Sequence, residues 1–256
     1  MTDWDPELHA RYKSQRDRPA LDLLLQIPMD LYPGEIWDLG CGTGEYAALL
    51  AARHPSACVR ALDSSPAKLE VARRRPAPVD WRLGDIAAFA PEIAPDLIFT
   101  NAVLQRVPDH RRLLPALVQS LAPGGVLACQ IPVESSGEWR AQLKRTAAEP
   151  RWAAALKGVE HPAIADPSDY YDWLSPLCAG GLDIWTTEYL HELEGEDPVL
   201  EWTRGSSLRP CLDALAPDDA QTFEALFSAR LREAYPARAD GITLLPFARL
   251  FIVARR

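Results

Sequence analysis

The sequence predicts an α/β fold, a mostly parallel sheet with helices on both faces, extended by helical insertions. Three observations carry this. Short apolar stretches alternate with helical ones over the first half of the chain. A glycine-rich turn, Gly40-Cys41-Gly42-Thr43-Gly44, joins the first such stretch to the first following helix. Polar residues (Asp38, Asp63, Asp85 and Asn101) fall at or just past the ends of successive strand candidates. Strands alternating with helices argue for parallel pairing, and in such sheets ligands sit at the carboxyl ends of the strands.

Taken in order, Glu35–Asp38 is the first strand, followed by a helix over about Glu45–Arg53. Cys58–Asp63 is the second strand; Ser64-Ser65-Pro66 then supplies a hydroxyl cap and a proline suited to the first helical position. Val79–Leu83 alternates as a third strand and ends at Gly84-Asp85. Asp96–Asn101 is the fourth, with a helix over about Asp109–Leu121 behind it. Pro123-Gly124-Gly125 breaks that helix before a fifth strand, Val126–Ile131.

Two further strands are expected at 182–191 and 246–254, separated by about fifty residues with helices near Pro198–Arg204 and Asp218–Tyr235. A second insertion follows the fifth strand. We expect one domain: a ligand-binding core over 1–133, helical cap insertions over 134–181 and 192–241, and the last two strands.

The 256 residues and 48% apolar content suffice for such a core. A net charge of −9 argues against nucleic acid or an anionic membrane as partner, since both require a basic face. The five cysteines are scattered and form no CxxC pair, so no metal site or disulfide framework is expected; Cys41, Cys58 and Cys129 read as core residues. The five histidines (His9, His54, His110, His161 and His191) show no metal spacing, and His191 reads as structural or as a polar wall residue. Neither a signal peptide nor an apolar run of spanning length is present, so a soluble, cytoplasmic protein is expected. Oligomeric state is not legible.

Glycines at alternate positions turn the chain sharply and let a ligand reach the backbone, while the helix behind offers free N–H groups. A dinucleotide fingerprint would read G-x-G-x-x-G; here the spacing is G-x-G-x-G, with Asp38 two residues upstream. This resembles motif I of the class I methyltransferases, Rossmann-like seven-stranded proteins whose cofactor is S-adenosylmethionine. The resemblance implies that Asp38, Gly40, Cys41 and Gly42 line the cofactor, with Asp38 toward its amino group. Asp63, with Ser64 beside it, suits the ribose hydroxyls; an aspartate there can also cap the helix starting at Pro66, but Ser64 or Ser65 is available for that. Asp85 with Ile86 suits the adenine, against a plain turn after Gly84. Asn101 and Gln105 follow the fourth strand, where donor and acceptor should meet, or simply start a helix.

Arg18, Arg106, Arg204, Arg209 and Arg249 occupy apolar or proline-flanked contexts, and Arg249 interrupts Phe247–Val253. A charge there must be paired, lie at a strand end or face an anion. As a set the arginines suit a pocket for carboxylates, which guanidinium forks match well. Tyr170 and Tyr171 are candidate polar wall residues, and Trp4 and Tyr12 can fold over a ligand or pack on the first helix.

A narrower resemblance is carried by Asp3-Trp4-Asp5-Pro6, Arg18-Pro19-Ala20, Asp63-Ser64-Ser65-Pro66, Leu104-Gln105 through Pro108-Asp109-His110, Tyr170-Tyr171-Asp172, Asp183-Ile184-Trp185, Leu208-Arg209-Pro210 and Arg249–Ala254. End to end, the chain is similar to the trans-aconitate 2-methyltransferases. That implies methyl transfer from S-adenosylmethionine to one carboxylate of a small polycarboxylic acid, giving a monomethyl ester. It also implies that Arg209, Arg249 and Arg204, with Tyr171 and Arg106 nearby, position the acid. A carboxylate is ionised at neutral pH, so no general base is required and catalysis is expected to be positional. The chain departs from the family pattern at Arg106, where tryptophan is usual, and at Ser206-Ser207, where threonine–glycine is common. Alternatives are another small carboxylic acid or hydroxylated metabolite as acceptor, a nicotinamide-dependent oxidoreductase, and a non-catalytic cofactor-binding module.

Overall fold

The computed structural model describes residues 12–133, 137–159, 164–204 and 207–256. Trp4, His9, His161, Ser206, the Asp3–Pro6 run and the start of the first insertion lie outside the described residues. The chain forms two compact units. Among the described residues, one comprises 16–132, 164–187 and 249–256; the other comprises 12–15, 133, 137–159, 188–204 and 207–248.

The strands are β1 (Glu35–Leu39), β2 (Cys58–Asp63), β3 (Val79–Leu83), β4 (Leu97–Asn101), β5 (Val126–Pro132), β6 (Gly181–Leu193) and β7 (Thr243–Arg255). They form a seven-stranded sheet ordered β3-β2-β1-β4-β5-β7-β6. The pairings β3–β2, β2–β1, β1–β4 and β4–β5 are parallel, and β5–β7 is antiparallel. The strand order reverses between β1 and β4, the switch point at which open α/β sheets take their ligands. Every residue of β5 is buried, as expected of a strand covered on both faces.

In the first unit, α1 (Lys13–Leu25) precedes β1 with all but its first residues, and α2 (Glu45–Arg53), α3 (Pro66–Ala72) and α4 (His110–Ser120) alternate with the strands. Ser65 caps α3 by accepting from the Lys68 N–H at 3.4 Å, with Pro66 at the first helical position. Asp96 lies just before β4; its Oδ2 accepts from the Gly34 and Glu35 amides at 2.8 and 2.9 Å and fixes the entry to β1. Cys41, Ala47, Ala61 and Leu69 form a small buried cluster beneath the glycine turn. Cys58 departs from expectation: it is exposed, because it opens β2 before the strand enters the core. Part of the expected cap also falls here, since α6 (Pro167–Leu174) clusters with the sheet.

The second unit has its own apolar core. Within it, α5 (Glu138–Ala147), α7 (Pro198–Arg204), α8 (Arg209–Asp213) and α9 (Pro217–Ala234) pack around Trp139, Trp152, Trp202, Phe223 and Phe227. Tyr12 meets Trp202 edge-on at 5.1 Å, and Trp152 meets Phe223 likewise at 5.1 Å. Each such pair contributes about 0.5–1.5 kcal/mol beyond area burial. His191 is buried between Trp202 and Phe247, with ring centroids at 4.9 and 6.1 Å, a packing position.

Candidate active site

The glycine turn is built by backbone geometry. Gly40 has φ +77°, and a Cβ there would come within 2.6 Å of Val103, so nothing larger fits under the loop after β4. Gly42 has φ +57° and differs: a Cβ there would meet nothing within 4 Å, which leaves this backbone edge open to a ligand. The outer side is tied by Arg75, which donates to the Thr43 carbonyl at 2.5 Å and pairs with Glu45.

Asp38 closes β1 and is 1% exposed; its Oδ2 has no hydrogen-bond partner among the described residues. Burial, reinforced by the nearby Asp63 carboxylate, pushes the Asp38 carboxyl up to about 8, opposed by the Ala47 backbone N–H. Cys41 is buried, and burial together with Asp38 and Asp63 keeps its thiol protonated. Asp63 is also buried: Oδ2 accepts from Gly42 N–H and Oδ1 from Ser65 N–H, both at 2.8 Å. The carboxylate therefore braces the turn, and each oxygen retains a second acceptor site. Ser64 is exposed beside it.

Asp85 is exposed and accepts from the Ala87 N–H at 2.9 Å, capping the turn at Ile86–Ala88, while Ile86 itself is buried. Asn101 ends β4 with its Oδ1 unpartnered among the described residues. Next to it Ala102 takes φ +54°; its N–H donates to the Gln130 carbonyl at 3.0 Å, and its carbonyl accepts from Gln105 Nε2 at 2.9 Å. Left-handed backbone at a non-glycine residue costs of order 1 kcal/mol and persists only where neighbours hold it.

The strand register decides which side chains share a face. Parallel partners project to the same side, and so do residues two apart. Asp38 pairs with both Ala61 and Phe99, Asn101 with Gln130, and Pro132 with Arg249. Asp38, Asp63, Asn101, Gln130 and Arg249 therefore project from one face, at the carboxyl ends of the parallel strands. Gln130 was not among the sequence candidates. It is 1% exposed, and neither amide atom has a partner among the described residues. A buried amide left so costs about 1–3 kcal/mol. Its signal in the sequence was a lone polar residue inside an apolar strand.

The other candidates are placed less alike. Arg249 is buried. Arg106 and Tyr171 are exposed. Tyr170, wholly buried, meets His110 instead: the hydroxyl lies 2.6 Å from Nδ1, and Nε2 lies 2.7 Å from the Leu104 carbonyl. Since Nε2 must donate to that carbonyl, Nδ1 accepts from Tyr170. In the second unit, Arg204 pairs with Glu224 at 2.7 Å and Arg209 lies 3.7 Å from Asp213, both at the surface. A cavity of about 200 Å³ in that unit, lined by Asp197, Val199, Leu200, Leu231, Arg232 and Tyr235 among others, contains none of the candidate residues. No helix among the described residues is long and apolar enough to cross a membrane.

Comparison with known proteins identifies the family and the fold. The family model described as "Methyltransferase domain" matches residues 12–176. Relatives named trans-aconitate 2-methyltransferase include proteins of Methylobacterium nodulans, 46% identical over 100% of this chain and 99% of the relative, and Azoarcus sp., 42% identical over 100% of both. Among solved structures, the YcgJ protein from Bacillus subtilis superposes with a TM-score of 0.58 at 14% identity, over 93% of this chain and 98% of that one. A Haemonchus contortus phosphoethanolamine N-methyltransferase solved with S-adenosylhomocysteine gives a TM-score of 0.55 at 15% identity, over 93% and 52%. At these identities the structures attest the fold, whereas the full-length relatives attest descent. With a methyltransferase domain over its first two-thirds and relatives matching it from end to end, this chain belongs to the trans-aconitate 2-methyltransferase family.

Proposed function

We propose that this protein is an S-adenosylmethionine-dependent carboxyl O-methyltransferase that esterifies one carboxylate of trans-aconitate to give its monomethyl ester. The observation that carries the reading is the buried Asp38 oxygen, unpartnered among the described residues, beside the open Gly42 backbone edge. Such a site fits a cation approached along the main chain, and the relatives supply the acceptor class.

In this reading Asp38 holds the amino group of the cofactor, Gly40, Cys41 and Gly42 line it, and Asp63 with Ser64 takes the ribose. Asp85 and Ile86 take the adenine. When bound, S-adenosylmethionine supplies an electrophilic methyl group. The chain's task is then to orient an acceptor that is already ionised. Asn101 and Gln105 stand between the two ligands. Arg249, with Arg106 and Tyr171, grips the carboxylates that do not react. An ion pair on the attacking oxygen itself would lower its nucleophilicity, so the guanidinium groups belong at the others.

Arg106, standing where the family pattern has tryptophan, favours a related polycarboxylic acid as the second reading. Transfer of labelled methyl to trans-aconitate, with cis-aconitate, isocitrate and citrate alongside, separates the two. Preference for trans-aconitate supports the first reading. Turnover of another acid supports the second, and turnover of none defeats both.

A further inference from the structure

The face shared by Asp38, Asn101, Gln130 and Arg249 has an order. Along the neighbouring strands β1, β4, β5 and β7 it presents a carboxylate, an amide, an amide and a guanidinium. Neighbouring strands lie about 4.8 Å apart, and the register steps about four residues along the strands from Asp38 to Arg249, so roughly 20 Å separates the first from the last. The acidic end suits a cation and the basic end a polyanion. Between them, where a group would pass from one to the other, the side chains are neutral.

Gln130 occupies this middle on β5, buried to 1% exposure with both amide atoms unpartnered among the described residues. Its main chain is fixed, since its carbonyl accepts from Ala102 N–H at 3.0 Å. A buried amide without a partner is rare in folded proteins and points to a ligand.

We propose that Gln130 is a positioning residue for the acceptor: its Nε2 donates to the spare oxygen of the carboxylate that is methylated, and its Oε1 turns toward the cationic cofactor. This rests on the function proposed above. The chemistry explains why an amide stands here and a cation does not. A neutral N–H donor orients the carboxylate without bringing the full positive charge of a guanidinium or ammonium against it. The second oxygen thus keeps its charge for attack. The amide dipole also lies along the field between sulfonium and acid, with its oxygen toward the positive end.

The test is Gln130→Leu, close in shape and without the amide. Removing an unpartnered buried polar group does not destabilise a fold. The variant is therefore expected to melt at or above the wild-type temperature and to bind S-adenosylmethionine within about two-fold of wild type. Its kcat/KM for the acid should fall at least ten-fold. A purely structural glutamine would give the reverse, a lower melting temperature with kinetics retained in the folded fraction. Gln130→Met, whose flexible chain fills the same space, serves if the leucine variant does not fold. Loss of stability in both overturns the proposal, as does unchanged turnover, or cofactor affinity lost with the KM for the acid unchanged. Wild-type protein run beside them separates the two ideas. If wild type methylates none of the acids, the functional reading falls and takes this one with it. If wild type is active and the leucine variant equally so, only the role of Gln130 falls.

Discussion

Gly42 donates its backbone N–H to Asp63 Oδ2 at 2.8 Å, which joins the glycine turn after β1 to the end of β2. The same carboxylate holds the Ser65 amide through Oδ1. Asp63 is therefore both a proposed ribose ligand and the brace of the loop that carries the other contacts.

Asp63→Ala is expected to weaken S-adenosylmethionine binding and also lower stability by about 1–3 kcal/mol, because it strips two backbone amides of their acceptor. Asp63→Asn, keeping one oxygen, should recover part of the stability and little of the affinity. Cofactor titration and thermal melts on both variants check this. Full cofactor affinity in the alanine variant would remove Asp63 from the ribose site.

Asp38 predicts a proton linked to cofactor binding. With its carboxyl raised to about 8 by burial and by Asp63, the side chain is mostly protonated at neutral pH, and a bound cation draws the proton off. As pH rises toward that value, affinity should tighten by up to about ten-fold per pH unit, and level off above it. Calorimetry in two buffers of different ionisation enthalpy should show a proton released, and zero release would refute the assignment.

The same residue sets a stability trend in the cofactor-free protein. A folded value raised from 3.8 to about 8 means the native state holds the proton that the unfolded state has lost. The stabilisation is complete below the lower value and is lost as pH rises toward the upper one. Asp38→Asn should flatten that decline and raise the melting temperature at alkaline pH, while cofactor binding suffers. A wild-type melting curve independent of pH across this window would contradict the linkage.

Tyr170→Phe should cost about 1–3 kcal/mol, since it leaves the buried His110 Nδ1 without its donor. Because His110 also holds the Leu104 carbonyl, the turn carrying Gln105 and Arg106 should loosen. Denaturant melts read the first effect. Faster amide exchange over the Leu104–Arg106 turn reads the second, and protection equal to wild type would show that the pair does not govern that turn.

For the arginines, the buried one is expected to dominate. Arg249→Glu should abolish turnover with cofactor affinity retained, whereas Arg204→Ala breaks a surface pair with Glu224 worth about 0–1 kcal/mol. Steady-state kinetics on both variants make the comparison. Joint loss of cofactor and acid binding in the Arg249 variant would mark that residue as structural.

The strands of the parallel half were legible because each is a short apolar run closed by a turn signal. Ser65-Pro66 even marked the start of its helix. The last two strands run longer than expected, over Gly181–Leu193 and Thr243–Arg255; Pro246, which cannot donate to a ladder, conceals the Thr243–Leu245 extension of the latter. Asp38 and Asn101 stood out as polar residues at strand ends. Gln130 did not, because its face depends on the register between β4 and β5, a property of pairing rather than of either strand alone. Of the two adjacent tyrosines on α6, both candidate wall residues by sequence, only Tyr171 is exposed. Neighbours on a helix point about 100° apart, so burial of Tyr170 against His110 sends the other outward, and only the tertiary contact decides which.

Ala102 has a consequence for how the family varies. Its peptide is pinned on both sides, by Gln130 below and by Gln105 ahead, and its left-handed torsion leaves little room to drift. Whatever side chain stands at position 106 is thus presented from the same socket. An exchange of tryptophan for arginine there swaps the head of the tool and leaves the handle in place. On the proposed reading, a single codon there would retune acid selection without the backbone having to be rebuilt.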